Sequence, residues 1–483
     1  MINTESLRSK ILSFAMRGEL SKREDNDGNA KDLYSHILME KTRLVKKGEL
    51  RKDKKYNDIK PEELPFTIPD NWHWARFGKI INLQSGQDLN SSDYNSDEKG
   101  IPYITGASNY TDDGRIIINR WTENPKAFAK KNDILLSCKG TVGKLAILKE
   151  DKVHIARQIM GIRTFCIDVS FAYYYVQSML YGIKEAQKGL IPGIERNDVL
   201  DLICPLPPVA EQTRIVDAIA SIFSLLDIID DLQTRYDADR DVLKGKLIDA
   251  AICGKLTKQL PEDGTAEELL KIIRKEKDAL IKIGDIPKEK TSAKISDEEK
   301  WQTLPNNWSY ARVQDVAIYI TDYVANGSFA TLKANTKTYK EPNYAVFVRT
   351  LDLGANFKND LSYIDKLSYD FLKKSKLYGG ELILPNIGAS IGKAFIMPDL
   401  GMPMSLAPNS IMIKFQSELM NKYFYYFFQS SRGQGVLTHI QGGAATAKFS
   451  KTDLRKMVLL LPPLSEQQRI VETLDNLLAN LAQ

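Results

Sequence analysis

The chain of 483 residues contains no run of about 18 uncharged apolar residues, so it offers no candidate membrane-spanning helix. Its first residues, MINTESLRSK, lack the apolar stretch of a secretory leader, and the expected location is the cytoplasm. Cysteine is scarce: Cys138, Cys166, Cys204 and Cys253 are isolated, with no CxxC pair. Such spacing favours reduced, buried thiols over a disulfide framework or a cysteine zinc site. Histidine is equally sparse. His36, His73, His154 and His439 form no HExxH or HxH pattern, so no metal centre is expected. An excess of one charge sign is also missing. Lys and Arg number 67, Asp and Glu 62, and the net charge is +5. That balance permits a nucleic-acid partner without demanding one.

Motifs for catalysis are missing too. GTVGKL (140–145) and GASIGKA (388–394) have the glycines and lysine of a phosphate loop but not the GxxxxGK[ST] spacing. No hydroxyl residue follows the lysine to hold magnesium. No GxGxxG opens a helix after a strand, and no Asn-Pro-Pro-Tyr-type base-methylation motif occurs. The two glycine loops, each between short apolar runs, suit close backbone approach to a polyanion.

What the chain does contain is a duplication. PPVAEQTRIV (207–216) and PPLSEQQRIV (462–471) agree at seven of ten positions, 255 residues apart. LRSKILSFAMRGEL (7–20) matches LKGKLIDAAICGKL (243–256) at a spacing of 236, which holds through IPDNWHWAR (68–76) and LPNNWSYAR (304–312). Fainter matches join DILLSCKGTVGK (133–144) to ELILPNIGASIGK (381–393), and RNDVLDLICPLPP (196–208) to KTDLRKMVLLLPP (451–463). Internal repetition of this kind fixes the architecture before any local assignment.

Each PPxxEQ phrase reads as the end of a strand and the start of a helix. Ser465 takes the N-cap place with Gln468 three residues on; Ala210 is its weaker equivalent. Beyond the first copy, Ile215, Ile219, Ile222, Leu226 and Ile229 recur at alternating spacings of four and three. Tyr236, Leu243 and Leu247 resume that phase. This predicts a coiled-coil seam on a helix of roughly 60 Å, ended by Gly254 as Gly18 ends its counterpart. The second copy places Ile470, Leu474, Leu477 and Leu481 likewise and then stops at Gln483. Residues 5–17 match the missing last turns. The duplication is therefore circular, with the C-terminal helix expected antiparallel to the central one and the N-terminal segment completing the second rod.

Residues 21–60 hold twelve Lys/Arg and eight Asp/Glu, and Leu33, Ile37, Leu38 and Leu44 mark an amphipathic helix ending at Gly48. A solvated excursion and a partner-docking surface both fit it. The divergent stretches mix β-rich runs with the aromatic helices FAYYYVQSMLYG (171–182) and MNKYFYYFFQS (420–430), which are assigned to the core rather than to base stacking. Trp72, Trp74 and Trp308 open the two domains and are read as structural plugs with satisfied polar tips.

Taken together, Pro207-Pro208, Glu211-Gln212 and Ile215, repeated as Pro462-Pro463, Glu466-Gln467 and Ile470, frame two divergent domains. Gly140, Gly143 and Lys144, with Gly388, Gly392 and Lys393, mark their glycine loops. Over essentially its whole length the chain resembles the DNA-specificity subunits of Type I restriction–modification systems. The resemblance implies an α+β protein. Two α/β target-recognition domains lie in a pseudo-twofold, circularly repeated arrangement, separated by two long antiparallel coiled-coil helices. The expected segments are a conserved helical region with a charged excursion (1–63), the first recognition domain (64–206), a central long helix (207–256), a second charged excursion (257–301), the second recognition domain (302–461) and a C-terminal helix (462–483).

The resemblance also implies a non-catalytic role. Each domain would read one half of a split, asymmetric double-stranded DNA site, with the paired helices setting the gap. Two modification subunits would be recruited, and restriction subunits would join them. No cofactor is expected in this chain; S-adenosylmethionine and ATP would reside on the partner subunits. Candidate DNA contacts are Asn109, Lys139, Lys144, Arg157, Gln158 and Arg196 in the first domain, and Asn386, Lys393, Asn409, Lys448 and Lys451 in the second. Two alternatives stand beside this reading: a single-chain modification or restriction enzyme, and a coiled-coil scaffold that binds only protein.

Overall fold

The structure is a computed structural model, described over residues 1–52, 54–111, 114–186, 193–442 and 447–482. It divides into unit 1, Met1–Arg235, and unit 2, Tyr236–Gln483.

Unit 1 begins with helix α1, Thr4–Met16, capped by the Asn3 side chain accepting from the Ser6 amide. It stops at Gly18, whose φ of +73° places it in the left-handed region. A Cβ there would also strike the Pro69 ring at 2.6 Å, so both conformation and space require glycine. Helix α2, Ala30–Lys46, is capped by Asn29. It buries Ile37, while Leu38 faces outward at the edge of the apolar stripe. Its Lys41 is also buried and donates to the carbonyls of Gly78 (3.0 Å) and Ile81 (2.6 Å), tying the charged excursion to the domain beside it.

Among the described residues, the domain proper has three sheets. His73–Arg76 pairs antiparallel with Ile203–Leu206. An antiparallel sheet runs Ile81–Ser85, Ile159–Thr164, Ile134–Ser137, Leu145–Ile147. A third runs Trp121–Thr122, Ile101–Ile104, Lys152–Ile155, Phe128–Lys130, with a parallel pairing between its two inner strands. Helix α3, Val169–Ala186, buries Phe171 and Tyr175, and the Tyr175 ring lies 5.0 Å from that of Phe77. A short helix α4, Arg196–Leu200, precedes the last strand.

Helix α5, Val209–Ile252, contributes to both units. Ile215 and Ile219 are wholly buried in the core of unit 1 beside Leu12 and Ala15 of α1. Ile248, Ala251 and Ile252 are buried in unit 2. Within unit 1, α1 runs antiparallel along α5: Ile2 N donates to Gln233, Thr4 Oγ1 to Asp230 and Arg8 to Asp227.

Unit 2 repeats the plan. Helix α6, Ala266–Ile283, starts with a Thr265–Glu268 capping box and ends at left-handed Gly284. Ser309–Arg312 pairs with Val458–Leu461, and a four-stranded antiparallel sheet runs Tyr319–Asp322, Ser410–Lys414, Leu382–Pro385, Phe395–Ile396, the same order as in unit 1. Its other sheet has five strands, and the segment around it is longer. Helix α7, Glu418–Gln429, buries Tyr423, Phe424, Phe427 and Phe428 completely, so these rings are core. Helices α8, Ser431–His439, α9, Lys451–Lys456, and α10, Leu464–Ala482, complete the unit.

Two expectations need correction. Helices α5 and α10 begin at Val209 and Leu464, directly after the proline pairs, so Ser465 lies inside the first turn rather than at an N-cap. The adjoining Gln side chain turns back instead: Gln212 Nε2 donates to Pro207 O and Gln467 Nε2 to Pro462 O, each at 2.9 Å. The seam also splits. Ile215, Ile219, Leu226, Ile470 and Leu474 are buried, Ile222, Ile229, Leu247, Leu477 and Leu481 are half-buried, and Tyr236 and Leu243 are exposed. The regular spacing did not separate helix-on-domain packing from helix-on-helix packing, because both need the same apolar stripe.

Candidate nucleic-acid interface

In unit 1 the strands Ile134–Ser137 and Leu145–Ile147 are joined by the glycine loop. Gly140 and Gly143 have φ of +75° and +91°. The buried Ser137 hydroxyl holds this turn, donating to Thr141 O and accepting from Lys144 N, both at 2.8 Å. Gly143 N donates to Ser137 O at 2.8 Å. The loop meets its neighbours through main-chain bonds. Cys138 N donates to Gln158 O (2.8 Å), and Ile194 N to Cys138 O (3.0 Å). Burial pushes the Cys138 thiol up, so it stays neutral and packs.

Two more segments close on the same place. A Cβ on Gly86 would sit 1.9 Å from Ala156 O, and one on Gly106 would sit 2.6 Å from Gln158 Oε1. Glycine at both positions lets the chains touch. His154 fixes the Gly86–Asp88 segment from behind. Its Nε2 lies 2.9 Å from Gln87 O, while Nδ1 accepts from Ala127 N at 3.1 Å. The ring is wholly buried, and burial lowers its pKa, keeping it neutral.

Lys139, Arg157 and Gln158 are thereby brought together on exposed loops. Arg157 pairs with the exposed carboxylate of Asp88 at 2.8 Å. Lys144 is half-buried at the foot of the loop. Arg196 reaches the same edge but spends its guanidinium on Leu83 O (2.6 Å) and Ser85 Oγ (3.2 Å). Asn109 is a correction. It is 1% exposed, its Oδ1 accepts from Thr105 N and Gly106 N, and its Nδ2 donates to Ile117 O. An amide satisfied on both ends inside the fold cannot read a base; it shapes the Gly106 turn.

Unit 2 builds the equivalent loop from Gly388 and Gly392, both at φ +87°. Asn386 N donates to Asn409 O at 3.1 Å, and Phe449 N to Asn386 O at 3.2 Å, as Cys138 does with Gln158 and Ile194. Lys393, Asn409 and Lys448 are exposed around it. Asn386 Nδ2 is turned inward to Phe449 O at 2.9 Å, and Lys451 pairs with Asp322 at 2.7 Å. These two support the loop from below, like Arg196.

Sequence reasoning missed Asp88, Gly86, Gly106 and Ser137. The only signal for the first two was the SGQD run directly after an apolar strand; for Gly106, the TGASN turn. Among the described residues no group of three or more His, Cys, Asp or Glu could hold a metal, and no helix is long and apolar enough to cross a membrane.

The match to known proteins is doubled as well. A family model described as the Type I restriction modification DNA specificity domain matches residues 69–235 and again 305–483. The chain is 24% identical over 548 residues to the Type I restriction enzyme EcoAI specificity subunit of Escherichia coli, covering 98% of this chain and 89% of that one. It is 23% identical over 538 residues to the EcoEI specificity subunit of the same organism, covering 98% and 88%. Among solved structures, the HsdS subunit from Thermoanaerobacter tengcongensis is similar, with 21% identity, 47% of this chain, 53% of that chain and a TM-score of 0.32. The chain belongs to the family of Type I restriction–modification specificity subunits, and it carries two DNA specificity domains.

Proposed function

We propose that each unit reads one half of a bipartite, asymmetric double-stranded DNA site through the loops gathered at its glycine turn. The observation that carries this is the repeat of one loop junction in both units with different exposed side chains. Lys139, Arg157 and Gln158 stand on one; Lys393, Asn409 and Lys448 on the other. Lysines suit phosphates, and Arg, Gln and Asn suit base edges in the major groove. Different readers on a shared frame imply different half-sites. Helix α5 joins the two units covalently and acts as the spacer.

The chain acts without catalysing a reaction itself. It recruits two modification subunits, which carry S-adenosylmethionine, and restriction subunits, which carry ATP, join them in the cytoplasm. Sequencing the methylome of cells carrying this chain with its partners gives both half-sites and their gap at once. A continuous or palindromic motif overturns the reading. Lys144→Ala and Lys393→Ala should each weaken binding across sequences and reduce the salt slope by about one. Unchanged affinity and unchanged salt dependence in both variants would remove the glycine loops from the interface.

A further inference from the structure

A cavity of about 1080 Å³ opens in unit 2 between segment 287–293 of the charged excursion, α8 and α9. Trp301, Val436, Ile440 and Met457 give it apolar walls. Lys288, Lys290, Arg432 and Lys456 stand exposed around its mouth. Two of the three carboxylates that line it are already engaged: Glu289 with Lys277 and Arg455, and Glu299 with Arg312. Among the described residues, Glu298, which is engaged with Ser296, and Asp453, which acts on Lys456, oppose the four cations, so the rim stays net positive.

The first copy of the repeat is an internal control. At the spacing of 236, Lys290 corresponds to Lys54, Ser292 to Tyr56 and Gln314 to Gly78. At the spacing of 255, Lys456 corresponds to Asp201 and Thr452 to Asn197. In unit 1 Lys54 donates to Asn197 at 2.9 Å and pairs with Asp201 at 2.9 Å. The Tyr56 hydroxyl fills the space over Gly78, 2.1 Å from where a Cβ would lie. There the equivalent place is plugged by a ring and neutralised by an ion pair. In unit 2 the ring has become a serine and the acid a lysine, so the site is both opened and turned cationic. Two lysines around a common opening repel one another until an anion enters.

We propose that this groove of unit 2 takes an acidic polypeptide segment of a partner protein, with apolar residues between its carboxylates. The cationic rim matches the carboxylates, and the apolar walls match the residues between them. A duplex would leave those walls without partners. The volume slightly exceeds the roughly 300–1,000 Å³ of small-molecule pockets, and its cations sit on three separate segments, which favours an extended occupant over a compact anion. In unit 1 the Tyr56 hydroxyl and the Lys54–Asp201 pair stand at the corresponding positions, so these residues distinguish the two halves of the repeat. The inference holds wherever DNA lies.

The test uses the full chain and a fluorescein-labelled peptide of alternating glutamate and leucine, followed by anisotropy. Unlabelled peptide, pyrophosphate and a random duplex are the competitors. Binding should saturate, weaken with salt, and be displaced by unlabelled peptide but not by pyrophosphate or duplex. Lys456→Asp, which restores the charge of unit 1, should weaken it about tenfold. Ser292→Tyr, which restores the plug, should do the same while leaving the circular dichroism spectrum unchanged. Equal binding by the wild type and both variants overturns the proposal. So does displacement by pyrophosphate or duplex as effective as by peptide, or the absence of saturable binding.

Discussion

The indole Nε1 of Trp72 donates to Glu211 Oε2 at 2.8 Å, 139 residues away in sequence. The bond is repeated in unit 2 between Trp308 and Glu466, also at 2.8 Å. Both glutamates are 0% exposed. Ser21 and Thr257 donate to the second oxygen in each copy, both at 3.1 Å. The glutamate of the PPxxEQ phrase is therefore a latch. It fastens the start of each long helix to the entrance of its domain and to the segment that follows the preceding helix.

Breaking the latch leaves a buried indole N–H without an acceptor. Glu211→Ala should cost about 2 kcal/mol and lower the melting transition by about 5 °C. Glu211→Gln keeps an acceptor and should cost less. Differential scanning calorimetry of the two variants checks the order; equal losses would mean that the carboxylate charge, not the acceptor, matters.

Acid should loosen both units by one mechanism. The Arg214 guanidinium donates to Asp27 and holds its carboxyl below the usual 3.8; Arg469 does the same for Asp263. A depressed folded value means that this stability is present above about pH 4 and is lost as pH falls through the folded value. Asp27→Asn should flatten part of the decline in melting temperature measured between pH 5 and pH 2, values that bracket roughly the range over which such carboxylates titrate.

His154 gives a second pH response, at milder acidity. Burial lowers its pKa from 6.5. The unfolded state thus binds the proton more readily, and stability falls as pH drops below 6.5 towards the folded value. Since His154 holds Gln87, the Asp88–Arg157 pair should loosen with it. Affinity of the folded chain for the half-site of unit 1 should decline only as pH falls through that lowered folded value, and His154→Asn should remove the dependence while changing affinity at neutral pH less. An identical pH profile in the variant would show that another group titrates.

Gly86→Ala should fail where Gly182→Ala succeeds. The first puts a Cβ 1.9 Å from Ala156 O, on backbone that cannot yield; the second meets nothing within 4 Å in the helix α3. Gly182→Ala should stabilise by up to about 1 kcal/mol. Gly86→Ala should displace the Gly86–Asp88 segment and reduce DNA binding. Chemical denaturation and electrophoretic shift, run together, separate the two effects.

The duplication carried the architecture in the sequence itself. Equal phrases at fixed spacing need no contact information, so the two units, the helix at each PPxxEQ and the glycine stops at Gly18 and Gly254 followed from the sequence alone. Periodicity also marked Ile215, Ile219, Ile470 and Leu474 as buried, since an apolar stripe must be covered. It left open what covers them. The site divides in the same way. Glycines flanked by strands were visible as loops, but Asn109 and Arg157 look alike on paper as polar residues of a divergent stretch. Only tertiary packing turned the Asn109 amide onto the main chain and left Arg157 exposed beside Asp88. The same holds for the groove of unit 2: Asp201 and Lys456 were aligned in the sequence, but the meaning of the exchange depends on Lys54 lying within bonding distance of one. Local pattern determines which elements form. Which polar group is spent inside the fold is decided by long-range proximity, because every buried donor and acceptor must find a partner wherever the chain brings one.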